Sequence, residues 1–156
     1  MKKYLNLVVF AVLTVAILSF IFGMSLQSRE ESGNTSSGIV AVIKPIIDPN
    51  NKIPEETFHH AVRKNAHFTE FAALGICLLG LTRSVGKLKG ERYLVLPVFC
   101  VLLSAVTDEF IQYFSGRGSM VTDVVLDFCG GLTGIAVAAF VCWMIGICRG
   151  RRPRRP

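Results

Sequence analysis

The sequence predicts an all-α protein, an integral membrane bundle of four transmembrane helices with both termini in the cytoplasm. Three observations support this prediction. Of the 156 residues, 51% are hydrophobic and only 18% are charged. Four apolar stretches approach the roughly 20 residues that a helix needs to cross the hydrocarbon of a bilayer. The basic residues are divided unevenly between the two ends of these stretches, as the positive-inside rule requires. We expect residues 1–156 to form one domain.

The first helix could be mistaken for a cleavable signal peptide, because it follows the basic pair Lys2-Lys3. Its apolar run is longer than the roughly 7–15 residues of a signal-peptide core, and residues 22–25 lack a small-residue cleavage site. We therefore expect a retained helix. The second and third stretches reach a full span only if their charged residues are buried. The four predicted helices cover about residues 4–26, 62–82, 93–114 and 124–147.

The basic residues indicate the orientation of the bundle. With both ends inside, eleven of the 17 lysines and arginines lie on the cytoplasmic side and six on the outer side. The largest basic group is the cytoplasmic tail over 149–156, which would anchor the last helix and attract anionic lipid. The net charge of +6 is therefore explained mainly by topology. We expect membrane lipids as partners, and no nucleic acid.

The predicted outer loop over 27–61 is the longest connection in the chain. It contains a Ser- and Gly-rich stretch over 32–38 and an apolar run over 39–43 that is too short to span a bilayer. A lid over a functional site and a disordered connection are both open alternatives. Residues 55–61 are expected to begin a helix that continues into the second span, with Pro54 at its first turn.

Ionisable side chains interrupt three of the four apolar stretches. In the second helix, Arg63, His67 and Glu70 have the spacing i, i+4, i+7 and therefore share one face. Charges inside hydrocarbon cost several kcal/mol unless they are paired or solvated, so such residues are candidates for function. The candidate site residues are Arg63, Lys64, His67, Glu70, Asp108, Glu109, Gln112, Arg117, Asp123 and Asp127.

The candidate residues are predicted to lie at one depth, just below the outer membrane face. With a helical rise of about 1.5 Å per residue, Glu70 lies roughly 12 Å from Val62, and Asp108 lies roughly 9 Å from Phe114. Five acids face three fixed cations, which leaves a surplus of negative charge. A divalent cation, shared protons or a cationic substrate could offset it. The sequence identifies neither a metal nor a cofactor.

Small residues form a stripe in the last helix. Gly130, Gly134 and Ala138 are spaced by four residues, and this pattern is typical of transmembrane helices that approach each other closely. We expect this stripe to serve packing. No Gly-rich phosphate loop, nucleophile elbow, H-E-x-x-H motif or C-x-x-C pair is present in the sequence, so the enzyme classes that these motifs define are not indicated.

The motifs in their order along the chain resemble a known family. They are Arg63-Lys64-x-x-His67-Phe68-x-Glu70, Asp108-Glu109-x-x-Gln112, Gly116-Arg117 and Thr122-Asp123-x-x-x-Asp127-x-x-Gly130. This set resembles the VanZ-like family of bacterial membrane proteins, in the subgroup that carries Arg-Lys-x-x-His-x-x-Glu. The resemblance implies a multi-pass protein of the bacterial cell membrane. It also implies a link to resistance against teicoplanin, a glycopeptide that binds cell-wall precursors outside the membrane.

The first functional hypothesis is binding of an envelope lipid or lipid-linked precursor from the outer leaflet. Arg63, Lys64 and Arg117 would hold its phosphate or carboxylate group, because arginine binds such groups through two parallel hydrogen bonds. The remaining polar residues of the same site would complete the binding surface. These are Gln112, Asp123 and Asp127.

Two alternatives are open at this stage. In the second hypothesis the protein is an intramembrane enzyme, with His67 or Glu70 as general base and Asp108 and Glu109 as acids or metal ligands. In the third, the protein is not an enzyme, and the network either fixes the fold as a scaffold or carries protons in a small proton-coupled carrier. The oligomeric state is not specified by the sequence.

Overall fold

The computed structural model describes residues 2–90, 93 and 95–150. Within these ranges the chain forms five helices and no strand. The basic residues of the predicted tail over 149–156 lie outside the described side chains. The helices, in chain order, are α1 (Lys2–Ser25), α2 (Arg29–Ile47), α3 (Glu55–Lys89), α4 (Val95–Phe114) and α5 (Val121–Gly150).

Four of these helices are long and apolar enough to cross a membrane, namely α1, α3, α4 and α5. This confirms the predicted all-α fold with four spanning helices. Helix α3 is the longest, with 35 residues, because it extends beyond the apolar stretch at both ends. Pro54 occupies its N-cap position, where the missing N–H of proline costs no helical hydrogen bond.

The connection over 27–61, for which a lid and a disordered connection were both open alternatives, is largely filled by the helix α2. Ser28 and Glu31 form a capping box: the Ser28 side chain accepts a hydrogen bond from the Glu31 backbone N–H, and the Ser28 N–H donates to the Glu31 carboxylate at 2.9 Å. This exchange satisfies two amides that would otherwise lack partners at a helix start. Ser32, Ser36 and Val40, spaced by one turn, are the buried face of α2, which packs on α3.

Helix α3 lies at the centre of the bundle and contacts each of the other four helices. The buried core joins Ile21 of α1, Phe71 and Leu74 of α3, and Val101 and Ala105 of α4. Many large apolar side chains on α1, α4 and α5 remain exposed. This pattern is expected where lipid, rather than protein, covers the outer faces of the helices.

The small-residue stripe lies against α3, as expected of a packing motif. A Cβ at Gly130 would overlap the backbone carbonyl of Phe68, and a Cβ at Gly134 would overlap that of Ala72. Both pairs advance by four residues, so the two helix backbones approach each other over a full turn. The close approach fixes the position of the first half of α5 against the middle of α3.

Candidate functional site

Four helix segments meet at one end of the bundle: the end of α1, the first half of α3, the end of α4 and the start of α5. Ser25, the last residue of α1, donates a hydrogen bond from Oγ to the Asp108 carboxylate on α4. Ser115 donates from its Oγ to the Ser25 carbonyl at 2.8 Å. Arg117 donates from Nη1 to the Met24 carbonyl at 3.0 Å. These bonds attach the α4–α5 turn to the end of α1.

The turn between α4 and α5 presents Arg117 between two glycines in the left-handed region. The φ angles of Gly116 and Gly118 are 72° and 80°, values that side chains with a Cβ rarely adopt. The Arg117 backbone N–H donates to the Gln112 carbonyl at 3.2 Å. This backbone directs the guanidinium back toward the bundle, where it reaches the Met24 carbonyl.

A cavity of about 170 Å³, here called the polar cavity, lies among these segments. Eight of the ten candidate residues line it. They are Arg63, Lys64, His67, Glu109, Gln112, Arg117, Asp123 and Asp127. The residues of four separate sequence motifs thus share one space.

The other two candidates, Asp108 and Glu70, lie beside the polar cavity rather than on its surface. Asp108 is fully buried, and its Oδ2 accepts a hydrogen bond from Gln112 Nε2 at 2.6 Å. Glu70 lines a neighbouring cavity that it shares with Arg63 and Arg117. Gln112 therefore both lines the polar cavity and orients the carboxylate behind it.

Two of the acids have local partners, and one of these partners is a cation. Lys64 Nζ lies 3.1 Å from Asp123 Oδ1, in a partly exposed ion pair. The Met120 backbone N–H donates to Glu109 Oε2 at 3.0 Å. The structure thus assigns local partners to Asp123 and Glu109, which the sequence could only place in the same layer.

Two of the remaining acids, Asp108 and Asp127, lie beside His67. Its Nδ1 lies 3.8 Å from Asp108 Oδ2 and 4.0 Å from Asp127 Oδ1. Asp127 is only 1% exposed, and neither of its carboxylate oxygens has a hydrogen-bond partner among the described residues. These three residues, from α3, α4 and α5, are the group in the described part of the chain that could hold a metal ion.

The two arginines of the site have unused hydrogen-bond donors. Arg63 Nε and Arg117 Nε are both buried and have no acceptor among the side chains and backbone that the structure describes. Burial, together with the positive charge of Arg63, lowers the pKa of the Arg117 guanidinium from its ordinary value. Two cations with free donors at the edge of one cavity are suited to bind an anion.

A second cavity of about 260 Å³, here called the apolar cavity, continues from the polar one between α1, α2 and α3. Arg63, His67 and Arg117 line both cavities. Phe20 and Ile39 contribute to its apolar wall. Beyond it, a groove of about 800 Å³ runs between α2 and α3 and shares Ile39 and several α3 residues with the apolar cavity.

Sequence reasoning missed some residues of this site. Arg29, at the start of α2, and His60 of α3 line the polar cavity, and Ser25 binds Asp108. The signal for Arg29 was available in the capping-box pattern of Ser28 and Glu31. Ser25 and His60 carry no comparable signal, since neither belongs to a motif whose spacing points to the site.

The fold and the site together define the class of protein: a bundle of spanning helices with ionisable side chains gathered around a cavity at one end. The family model VanZ/LLP1 matches residues 10–143. The chain belongs to the VanZ/LLP1 family, and the resemblance noted from the motifs is confirmed at the level of the family. No curated protein and no solved structure matches the chain.

Proposed function

We propose that the protein binds an anionic amphiphile at the cell envelope, either an envelope lipid or a lipid-linked precursor. The observation that carries the proposal is the sharing of Arg63, His67 and Arg117 between the polar and the apolar cavity. An anionic headgroup at the arginines would place its hydrocarbon chain in the apolar cavity. The ligand therefore needs both a charged and an apolar part.

The arginines provide the headgroup site. Each has a buried Nε–H without an acceptor among the described residues, and a buried unpaired donor is unfavourable. A phosphate or carboxylate would accept from both guanidinium groups through charge-assisted hydrogen bonds. Lys64 is paired with Asp123, so it would serve mainly at the rim of the site.

The apolar cavity and the groove behind it provide the chain site. Helix α2 forms one wall of both spaces, and the opposite wall is α3. Because Ile39, Val62 and Ala66 line both spaces, the route from the arginines to the groove is continuous. In this proposal α2 is the lid over the site, which was one of the two alternatives for the connection over 27–61.

The unpartnered groups favour ligand binding over a purely structural network. A scaffold that only joins helices would satisfy its buried polar groups internally, because a partly satisfied network is less stable than an apolar core. Here Arg63 and Arg117 keep buried donor atoms without acceptors among the described residues. The site therefore resembles a binding site that a ligand completes.

The orientation and the process are part of the same proposal. The distribution of basic residues favours the site at the outer leaflet of a bacterial cell membrane, where envelope precursors are exposed. Binding of such precursors by the protein would alter the sensitivity of the cell to glycopeptides. This agrees with the link to teicoplanin that the VanZ-like resemblance implies. Expression of the chain is then expected to raise teicoplanin tolerance, and Arg117→Ala is expected to abolish this effect.

Lipid binding to the purified protein tests the proposal. Native mass spectrometry would measure retention of undecaprenyl phosphate and phosphatidylglycerol, with the neutral lipid diacylglycerol for comparison. Arg63→Ala and Arg117→Ala should each weaken binding of the anionic lipids about tenfold or more, since a hydrogen bond to a charged group contributes about 1.5–3 kcal/mol.

Arg83→Ala is the matched control, because Arg83 is an exposed arginine farther along α3. Unchanged retention in the two site variants, or equal losses in all three, would contradict the proposal. A preference for undecaprenyl phosphate would identify a lipid-linked precursor, and a preference for phosphatidylglycerol would identify a bulk lipid.

A further inference from the structure

We infer that His67, Asp108 and Asp127 bind one divalent transition-metal ion, such as Zn²⁺ or Mn²⁺. Each residue offers one ligand atom, and the three atoms lie within 4.8 Å of one another. The ligands come from α3, α4 and α5, so the site forms only when the bundle is assembled. Because all three are protein atoms, the ion binds whether or not an amphiphile occupies the neighbouring cavities.

An independent observation points to a ligand at this place. The Asp127 side chain is almost fully buried, yet both of its carboxylate oxygens lack a hydrogen-bond partner among the described residues. The His67 Nδ1 atom, which faces Asp127, is also buried without a hydrogen-bond partner there. Buried carboxylates in proteins are paired with a cation or coordinate a metal.

Asp108 is held in a fixed orientation, as the ligands of metal sites commonly are. Ser25 Oγ donates to its Oδ1, and Gln112 Nε2 donates to its Oδ2 at 2.6 Å. A carboxylate oxygen has two lone pairs, so Oδ2 can accept from Gln112 and still coordinate an ion. Hydrogen bonds of this kind position the ligand and tune its affinity for the metal.

The distances and charges suit a divalent ion. In a tetrahedral site with bonds of about 2.0–2.2 Å, ligand atoms lie about 3.4 Å apart. His67 Nδ1 lies 3.8 Å and 4.0 Å from the two carboxylate oxygens, so each of these two distances must shorten by a few tenths of an ångström to bind the ion. Two carboxylates neutralise the ion.

The ligand types select among the divalent metals. An imidazole favours transition metals over Mg²⁺ and Ca²⁺, and carboxylates accept Mn²⁺ as well as Zn²⁺. His67 and Asp127 also line the polar cavity, so a further coordination position faces that space. Water or an oxygen of an anionic headgroup would occupy it.

Metal titration of the full chain tests this inference. The purified protein, in phosphatidylcholine nanodiscs and stripped with EDTA, would be titrated with Mn²⁺ or Zn²⁺ alone, and bound metal would be measured by elemental mass spectrometry. We expect one equivalent per chain. Asp127→Asn and His67→Gln should weaken the affinity at least tenfold, while circular dichroism reports whether each variant is folded.

Asp123→Asn is the matched control, because Asp123 lies one turn from Asp127 on the same helix and is paired with Lys64. It should retain the ion. Absence of binding to the wild type overturns the inference, as does equal affinity in wild type and Asp127→Asn. Equal loss in all three variants also overturns it, because general attraction of cations to an acidic cavity would then explain the binding.

A spectroscopic measurement on the wild type does not depend on the folding of any variant. Pulsed electron paramagnetic resonance of bound Mn²⁺ should show coupling to one directly coordinated nitrogen, and ¹⁵N labelling of histidine should change that coupling. A Mn²⁺ spectrum without nitrogen coupling would overturn the assignment of His67. If Mn²⁺ binds but Arg63→Ala and Arg117→Ala retain anionic lipids as well as the wild type does, the metal site stands and the amphiphile proposal is rejected.

Discussion

Replacing Gly134 with alanine tests the contact that holds α5 against α3. A Cβ at this position would overlap the backbone carbonyl of Ala72. Backbone atoms cannot rotate away as a flexible side chain would, so the two helices must separate. Gly146 is the matched control, since it lies on the same helix with open space around its Cβ position.

The magnitude follows from comparing the two variants. Both gain helix propensity, which favours alanine over glycine by about 1 kcal/mol, so this contribution cancels in the difference between them. Overpacking of a well-packed contact costs about 1–3 kcal/mol. We therefore expect Gly134→Ala to have a free energy of unfolding about 1–3 kcal/mol lower than that of Gly146→Ala.

Equilibrium unfolding in mixed detergent micelles would measure this difference, with circular dichroism as the signal. The fluorescence of Trp143, the single tryptophan of the chain, offers a second signal from α5 itself. Equal unfolding free energies for Gly134→Ala and Gly146→Ala would refute the reasoning. They would mean that separating the two helix backbones costs no free energy.

Two further predictions concern single polar contacts. Ser25→Ala removes the hydrogen bond to the buried Asp108 carboxylate and should lower the unfolding free energy by about 1.5–3 kcal/mol in the same micelle assay; an unchanged value would contradict the contact. The backbone N–H groups of Ile53 and Lys52 lower the pKa of the Asp48 carboxyl below its ordinary value of 3.8. The stabilisation of this turn is therefore fully present above about pH 3.8 and is lost as the pH falls through the lowered pKa. Hydrogen-exchange protection of these two amides should fall in that acidic range, and in Asp48→Asn it should be reduced already at neutral pH; protection independent of both changes would exclude this role of Asp48.

The connection over 27–61 shows where composition misleads. Its Ser- and Gly-rich stretch left a disordered connection as one alternative, yet residues Arg29–Ile47 form α2. Glycine and serine are poor helix formers in isolation. The packing of Ser32, Ser36 and Val40 on α3 must therefore provide the stabilisation that helix propensity does not. The capping box at Ser28 was the local signal that favoured a helix.

The pairing of the site residues shows that helical spacing does not predict contacts between helices. Helical periodicity correctly placed Arg63, His67 and Glu70 on one face, and all three line the apolar cavity. It also placed Asp108 one turn from Gln112, and their side chains are hydrogen-bonded. Periodicity within one helix contains no information about which face of a neighbouring helix it meets.

The sequence by itself determined the four helices that are long and apolar enough to cross a membrane, the helix faces that carry the charged residues and the stripe of small residues on α5. Each of these follows from hydropathy and helical period, which are local properties of the chain. Only the tertiary structure decided that Asp123 pairs with Lys64 while Asp127 faces His67 without a hydrogen-bond partner among the described residues. The physical reason is the contact of Gly130 and Gly134 with the α3 backbone, which sets the distance and rotation of one helix against the other.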